Sequence, residues 1–433
     1  MSDRSWPQHA VPGGAERTRH VEVVHSLFEN VEASTEVTTD RPQRSRRVRL
    51  AGILAIAVVV GGGGTLVWLQ PTPPGDFYAG PDDLAGRQPG DLLAAEPVER
   101  GLPRRVEGWR VLYASTDADG EPVAVSGMVL TPTDPPDGPR PLVAIAHGST
   151  GIDEACAPSL SPRPLAPLPG AQVALDAGYV VSATDYPGLG TAGPHPYMIG
   201  SASAHAVLDA ARSTTELVDV DTDQVAIWGF SQGGHATLFA GEQAPTYAPE
   251  LGVRGLVAFA PAADLARIIE QSQGTVLGTL ITVNAAVAWS DARDELDLEE
   301  VIAADAIDTA RDITERCLDP TSLPASVAQS VQLIDEVAPL DTPGTEDWAA
   351  FLEANTPTGH LDVPLLILQG ADDPVIRPEA TEAYAAERCA DGVTVDLRVI
   401  PDVGHFTLGR RSAEQALTWT RQRFDGEPAR STC

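Results

Sequence analysis

Three residues of this chain have the types, and the order along the sequence, that nucleophilic catalysis requires. Ser231 lies in the pentapeptide G-F-S-Q-G at residues 229–233, Asp373 follows much later, and His405 comes last. A serine hydroxyl becomes a nucleophile when a histidine takes its proton and a carboxylate orients that histidine. The order serine, acid, histidine differs from the orders in chymotrypsin-like and subtilisin-like enzymes. These residues therefore predict a catalytic triad that works through a covalent acyl intermediate.

The elements around Ser231 are those of a nucleophile elbow. Residues 225–228 read Val-Ala-Ile-Trp, which is typical of a short buried strand, and a helical apolar pattern begins at His235. Between them, Gly229 and Gly233 are required because the strand and the helix crowd together at the turn. The alternative is an ordinary glycine-rich turn after a buried strand. The strand and helix context, together with the acid and the histidine downstream, favours the catalytic interpretation.

The acid and the histidine follow two further predicted strands. Residues 363–369 form an apolar run that ends before Asp372 and Asp373, and residues 393–400 alternate apolar and polar residues. An acid just past a strand end lies at the same edge of the sheet as the serine. Asp372 competes for this role, but Asp373 is preferred because one member of an Asp-Asp pair usually caps its turn. The complete order is that of the α/β-hydrolases.

The other histidines of this region are weaker candidates for the base. His360 precedes the acid, so its order is wrong. His147 and His235 flank glycine-rich turns and are interpreted as structural, whereas His195 and His205 are interpreted as loop or helix-face residues. The sequence therefore favours His405.

An oxyanion hole requires two N–H donors near the serine. The backbone N–H of Gln232, the residue after the nucleophile, is the first candidate. Residues 142–146 predict a strand, and the turn H-G-S-T-G at residues 147–151 follows it, as a variant of the H-G-G-G motif. An ordinary glycine turn is the alternative, but its position before the elbow favours the functional interpretation.

Several further motifs carry a family resemblance. They are C-A-P-S at residues 156–159, D-Y-P-G-L-G at 185–190, G-H-A-T at 234–237 and Y-A-P-E-L at 247–251. With the triad, they resemble the secretory lipase family, α/β-hydrolases of fungi and actinobacteria, from about residue 75 to the C-terminus. Counted back from Cys156, Thr150 falls where the family's second oxyanion donor stands. The resemblance places an aspartate at this position in a yeast member of the family. It therefore implies a role for the N–H of Thr150 rather than for its side chain.

The four cysteines all follow the N-terminal apolar segment. Four cysteines allow three connectivities, and the absence of a C-x-x-C motif disfavours a zinc site. Four buried free thiols are the alternative, and would suit a cytosolic protein. The family resemblance implies the pairs Cys156–Cys317 and Cys389–Cys433.

The N-terminal region predicts export. Residues 50–69 carry no charge over a length that can span a membrane, five arginines precede them closely, and prolines and acids follow. We interpret residues 1–49 as a disordered cytoplasmic tail, 50–69 as a transmembrane signal anchor and 70–100 as a linker. The resulting location is the cell membrane, with an extracellular C-terminal domain. A cleaved signal peptide that releases a secreted protein is one alternative. Another alternative is a start codon assigned too far upstream, which would extend an ordinary signal peptide.

Residues 101–433 predict one α/β-hydrolase catalytic domain. Residues 110–115 and 123–130 predict an antiparallel pair, after which apolar runs alternate with helical stretches such as 203–217. This pattern indicates a mostly parallel sheet with helices on both faces. Strand signals stop over about 262–342, where residues 265–271 and 298–310 predict helices. The resemblance implies an inserted cap or lid there.

The sequence thus predicts a membrane-anchored extracellular serine ester hydrolase of the lipase or carboxylesterase type. Its expected substrates are acyl esters or lipids, and it is expected to act as a monomer without metal or organic cofactor. A net charge of −32 disfavours nucleic acid as a partner. The alternatives are an acyltransferase of the cell envelope that uses the same acyl-enzyme, and a non-catalytic protein with the hydrolase fold.

Overall fold

The structure is a computed structural model that describes residues 74–81, 83–134, 138–319, 322–338 and 345–433. The predicted tail at 1–49 and the predicted anchor at 50–69 lie outside these ranges. Within them, no helix has both the length and the apolar composition that a membrane crossing would need.

The described residues contain a nine-stranded sheet with the order β1-β2-β3-β5-β4-β6-β7-β8-β9. The strands are β1 Leu92–Pro97, β2 Val106–Thr116, β3 Pro122–Pro132, β4 Arg140–Ala146, β5 Val180–Thr184, β6 Val220–Phe230, β7 Val253–Phe259, β8 Leu365–Gly370 and β9 Val395–Ile400. Strands β1 to β3 run antiparallel to their neighbours, and β4 to β9 are parallel. The predicted antiparallel pair and the mostly parallel sheet are confirmed.

Strand β1 lies inside the stretch that the sequence predicts as a linker. It pairs with β2 at the edge of the sheet, in a register that joins Glu96 to Arg110. Its sequence, Leu-Leu-Ala-Ala-Glu-Pro, lacks both alternation and β-branched residues, so it carries no local strand signal. The sheet therefore begins earlier than the predicted domain start at residue 101.

Ten α-helices are present in the described ranges. They are α1 Ala171–Asp176, α2 Gly200–Thr214, α3 Gln232–Tyr247, α4 Leu265–Ser272, α5 Val276–Ala292, α6 Ile307–Thr314, α7 Leu323–Ser330, α8 Glu346–Ala354, α9 Pro378–Ala390 and α10 His405–Phe424. Helices α2, α3 and α9 pack on one face of the sheet, and α1 and α10 on the other.

Strand β6 illustrates how the sheet becomes buried on both faces. Val225 and Ile227 enter the apolar cluster under α2 and α3, while Ala226 and Trp228 enter the cluster on the opposite face. The indole N–H of Trp228 donates to the hydroxyl of Thr420 in α10 at 3.0 Å. A strand covered on both faces reads as a continuous apolar run, which is why its sequence predicted it well.

Helices α4 to α7 lie between β7 and β8, and we use the name cap for the described residues 262–319 and 322–338 that contain them. Helix α4 agrees with the helix predicted over 265–271, but the helix predicted over 298–310 is wrong. A short 3₁₀ turn covers Leu298–Glu300, and α6 begins only at Ile307. Between them, Ile302 forms an isolated antiparallel bridge with Val337. Val301 and Ile302 are fully buried, and the backbone beside them pairs with residues 336–338 instead of forming a helix.

Two disulfides join the cysteines in the pairs that the family resemblance implies. Cys156 is bonded to Cys317 and Cys389 to Cys433, and no free cysteine remains in the described ranges. The first bond connects the segment after β4 to the cap between α6 and α7. The second connects the end of α9 to the C-terminal residue.

Candidate active site

Ser231 occupies a strained backbone position between β6 and α3. Its φ of 54° and ψ of −113° lie outside the regions that L-residues favour. The N–H of Ser231 donates to the carbonyl of Phe259 at 2.9 Å, so the turn is fixed to the neighbouring strand. A Cβ at Gly229 would lie 1.9 Å from the carbonyl oxygen of Gly233, and one at Gly233 would lie 2.0 Å from that of Ala146. Only glycine fits at these two positions.

The imidazole of His405 contacts both other residues of the predicted triad. Its Nε2 lies 3.1 Å from the hydroxyl oxygen of Ser231, and its Nδ1 lies 2.7 Å from a carboxylate oxygen of Asp373. A carboxylate only accepts hydrogen bonds, so Nδ1 carries the proton and Nε2 accepts from the serine hydroxyl. His405 and Asp373 are 3 % and 5 % exposed. Such an arrangement can transfer the serine proton away from solvent.

The two adjacent aspartates have different surroundings. The second carboxylate oxygen of Asp373 accepts from the N–H groups of Val375 and Ile376, both at 2.9 Å. Asp372 is exposed, and its N–H donates to the carbonyl of Val403. The structure therefore brings Asp373 to His405. Asp373 also makes the local turn contacts, which the sequence predicts for Asp372.

The N-terminus of α3 carries the first candidate donor of the predicted oxyanion hole. Gln232 is the first residue of this helix, so its N–H has no acceptor within the helix. Ser149 and Gln232 line the same cavity as Ser231. Thr150 lies one residue beyond Ser149, and its carbonyl accepts from the N–H of Leu318 at 2.8 Å.

The cavity beside Ser231 is mostly apolar and nearly closed. Its apolar wall comes from the cap, the segment before α2 and the loop after β8, through Met198, Ala262, Leu265, Ile268, Ile269, Ile281, Ala285, Val375 and Ile376. The free volume is about 30 Å³, which is room for one or two water molecules. Helix α4, which carries Leu265, Ile268 and Ile269, forms one side of this space.

His195 is a site contact that the sequence did not indicate. Its Nδ1 lies 2.9 Å from the carbonyl of Pro187, so Nδ1 donates and Nε2 accepts from the amide of Gln232 at 3.1 Å. Burial lowers the pKa of His195 to about 3, which keeps this acceptor unprotonated. The side chain of the residue after the nucleophile is thus held by a neutral histidine. No spacing in the sequence links residues 195 and 232.

The remaining histidines are placed away from the serine proton. His147 and His235 are buried, and His205 stacks on Tyr247 with ring centroids 3.9 Å apart. His360 is exposed and lies 3.1 Å from Asp362. In the described part of the chain, no three His, Cys, Asp or Glu side chains form a group that could hold a metal ion.

We expect the buried His235 to make the folded chain less stable in acid. Its Nε2 donates to the carbonyl of Asn355 at 2.7 Å, and burial lowers its pKa from 6.5 to about 4. Below pH 6.5 this imidazole binds a proton in the unfolded chain but not in the folded chain. The free energy of unfolding therefore falls as the pH falls from 6.5 towards 4. We expect this histidine to remove about 2–3 kcal/mol over that window.

The measurement is denaturant unfolding of the wild type and of His235→Gln between pH 4 and pH 7.5. The variant should lose less stability on acidification than the wild type, and the exposed substitution His360→Gln serves as the control. Parallel stability curves for His235→Gln and the wild type would contradict this assignment.

Comparisons with known proteins identify the family. A family model described as secretory lipase matches residues 171–432. A relative from Mycobacterium tuberculosis, named a probable inactive lipase, is 28 % identical over 83 % of this chain and 84 % of its own. Lipase A of Arthroderma benhamiae is 25 % identical over 84 % of this chain and 82 % of its own.

Solved structures share the fold. Candida antarctica lipase A in its closed state has a TM-score of 0.70 and 21 % identity, over 84 % of this chain and 89 % of its own. A rice cell wall degrading esterase from Xanthomonas oryzae has a TM-score of 0.62 and 18 % identity, over 79 % of this chain and all of its own. The predicted α/β-hydrolase fold is confirmed.

Proposed function

The chain belongs to the secretory lipase family, and from this we propose that it is a serine ester hydrolase of the lipase type. The observation that carries the proposal is the hydrogen-bonded line from Asp373 through His405 to Ser231, with atom separations of 2.7 and 3.1 Å. Lipase relatives that align over most of the chain support the same reaction class.

In the proposed reaction, the hydroxyl oxygen of Ser231 attacks the ester carbonyl while Nε2 of His405 takes its proton. The tetrahedral intermediate collapses, the bond to the alcohol breaks, and His405 returns the proton to the leaving alkoxide. Water then attacks the acyl-enzyme by the same steps and releases the carboxylic acid. Asp373 orients the imidazole and stabilises its positive charge.

The negative oxygen of each tetrahedral intermediate requires fixed donors. We assign the N–H of Gln232, at the N-terminus of α3, and the N–H of Thr150 to this role. Each such donor stabilises the transition state by roughly 3–4 kcal/mol in comparable sites. The helix dipole of α3 adds positive potential at the same place.

The apolar cavity supports an acyl chain as the substrate group. Because the free volume is only about 30 Å³, we propose that α4 moves to admit the chain and that Leu265, Ile268 and Ile269 then contact it. The substrate class we propose is therefore an acyl ester or lipid.

The test is hydrolysis of p-nitrophenyl esters of increasing acyl length, with a fluorophosphonate probe to label the nucleophile. We expect turnover of at least one ester and labelling of Ser231, with Ser231→Ala as the unlabelled control. No turnover and no labelling of folded protein would contradict the proposal.

The name of the mycobacterial relative favours a second candidate, a non-catalytic protein with this fold. The fluorophosphonate experiment distinguishes the two, because only an activated serine reacts with the probe. Adding glycerol to the ester reaction separates an acyltransferase from a hydrolase, since the former yields acylglycerol instead of free acid.

We further propose that the catalytic region acts outside the cytoplasm. The family description and the two disulfides support export. A protease added to intact cells should digest a C-terminal tag. Membrane fractionation of the full-length chain would indicate an anchor at 50–69, whereas mature protein in the medium beginning between residues 69 and 80 would indicate cleavage. Protection of the C-terminal tag in intact cells would contradict export.

A chain that begins at Pro74 should fold and retain full esterase activity. This start keeps Tyr78, which is 4 % exposed and lies 2.9 Å from the hydroxyl of Ser159, and it keeps the whole of β1. A matched chain that begins at Gly101 loses both, and should be less stable by about 3 kcal/mol or more. The measurement is thermal and denaturant unfolding with parallel activity assays. Equal stability of the two chains would contradict the early start of the domain.

A further inference from the structure

The turn that carries the proposed Thr150 donor has little backbone structure of its own. We call residues 147–151, between β4 and the segment leading to Cys156, the oxyanion turn. Within the described ranges, the backbone of residues 148–151 makes one backbone–backbone hydrogen bond, from the N–H of Leu318 to the carbonyl of Thr150 at 2.8 Å. Leu318 belongs to the cap. Side chains hold the first two residues of the turn, since Nδ1 of His147 lies 2.6 Å from the carbonyl oxygen of Gly148 and the hydroxyl of Tyr186 donates to the carbonyl of His147 at 3.1 Å. The turn beyond Gly148 therefore depends on contacts from outside it.

The disulfide Cys156–Cys317 lies directly beside this hydrogen bond. Cys317 precedes Leu318, and both cysteines are buried, at 5 % and 7 % exposure. Gly151 has a φ of 118°, and a Cβ there would lie 2.8 Å from the Sγ of Cys156 and 3.1 Å from the Cα of Cys317. The oxyanion turn is thus pressed against the disulfide, with no side chain between them.

A second connection between the cap and the same turn runs through Tyr197. The indole N–H of Trp289 in α5 donates to the carbonyl of Tyr197 at 2.6 Å, and the hydroxyl of Tyr197 lies 2.6 Å from that of Ser149. The cap therefore contacts Thr150 directly and reaches Ser149 through Tyr197. Of these two connections, only the contact to Thr150 lies directly beside a covalent link, the disulfide at Cys317.

We propose that the Cys156–Cys317 disulfide positions the oxyanion hole, by fixing the cap segment whose Leu318 N–H holds the carbonyl of Thr150, the residue that supplies the donor N–H. This inference rests on the proposed ester hydrolysis. Oxyanion donors stabilise the transition state only where they are preorganised, and a displacement of about 1 Å can cost about 100-fold in rate. Loss of the disulfide should therefore lower kcat rather than raise KM, because these donors bind the tetrahedral intermediate more strongly than the ground-state ester.

A disulfide with a purely structural role would behave differently. It would act by restricting the unfolded chain, so its loss would lower stability and leave the turnover of the folded molecules unchanged. The second disulfide, Cys389–Cys433, provides the comparison within this chain. Its Cys433 Sγ contacts the carbonyl of Val393, just before β9 begins. This is the amino end of a parallel strand, whereas the proposed site lies at the carboxyl ends.

The experiment compares Cys156→Ser/Cys317→Ser with Cys389→Ser/Cys433→Ser, at a temperature where unfolding curves show both to be folded. We expect the first variant to lose about 100-fold in kcat with KM within about twofold of wild type. The inhibition constant of an alkyl boronic acid, which forms a tetrahedral adduct with the serine, should rise in parallel with the loss of kcat/KM. The second variant should keep the kcat and the boronic acid affinity of the wild type.

If the first variant does not fold, the wild type can be reduced stepwise with dithiothreitol and each disulfide followed by mass spectrometry. Loss of kcat should then follow reduction of Cys156–Cys317 and not of Cys389–Cys433. Unchanged kcat and boronic acid affinity without the first disulfide, or equal losses without either, would overturn the inference. A folded wild type that neither hydrolyses esters nor reacts with a fluorophosphonate would instead overturn the proposed function, and the inference with it.

Discussion

Replacing Ser231 by alanine is expected to lower the kcat of ester hydrolysis by about 10⁶-fold, with the fold unchanged. The reason is that the covalent step disappears with the hydroxyl, which lies 3.1 Å from Nε2 of His405. His405→Ala should cause a similar loss, since the serine then has no base. The double variant should be little worse than either single variant, because residues that act as a unit are not additive.

The matched control is His360→Ala, which removes an exposed histidine paired with Asp362. It should keep wild-type activity. Folding is checked by the thermal unfolding midpoint, so that a loss of activity is not mistaken for a loss of structure. If folded Ser231→Ala hydrolysed esters at nearly the wild-type rate, the proposed serine mechanism would be wrong.

The nucleophile could be predicted from the sequence because the tightest approach in its turn is between near neighbours. The close approach at Gly229 is to Gly233, four residues further along the chain. The strand before the turn is buried on both faces, so it appears as an unbroken apolar run. Where a feature depends on residues adjacent in sequence, the spacing of residue types carries it.

The interior of the cap could not be predicted in the same way. The stretch around Val301 and Ile302 has apolar residues at spacings that suit a helix, but its partner is the strand-like segment at Val337. The N–H of Ala303 donates to the carbonyl of Glu336, and that of Ala338 to the carbonyl of Val301. A pairing between segments that lie so far apart leaves no periodic trace in either one.

The surroundings of the two proposed oxyanion donors, Gln232 and Thr150, could not be predicted for the same reason. The acceptor for the side chain of Gln232 is His195, and the donor to Thr150 is Leu318 in the cap. Each link joins parts of the chain that are distant in sequence and have no pattern in common. The sequence could therefore predict which residues would act, but not what holds them in place.

Replacing Asp373 by asparagine is expected to lower kcat by about 10⁴-fold, far more than Asp372→Asn. One oxygen of Asp373 accepts from the N–H groups of Val375 and Ile376, and the other accepts from Nδ1 of His405. In the variant, the amide oxygen retains the two backbone donors, so the amide nitrogen faces the imidazole. That nitrogen donates, which forces Nδ1 to accept and moves the imidazole proton to Nε2. Nε2 then cannot take the proton of Ser231.

Asp372→Asn is a matched control, because it makes the same chemical change at the adjacent, exposed position. Its turnover should stay within about twofold of wild type, as for most surface substitutions remote from the reacting atoms. Steady-state kinetics on one p-nitrophenyl ester measures both variants, and unfolding curves confirm that each is folded. The reverse ranking would transfer the role of the acid to Asp372, and would mean that the loop after β8 adopts a different turn when substrate is bound. Equal, small losses in both variants would show that His405 is oriented without a carboxylate.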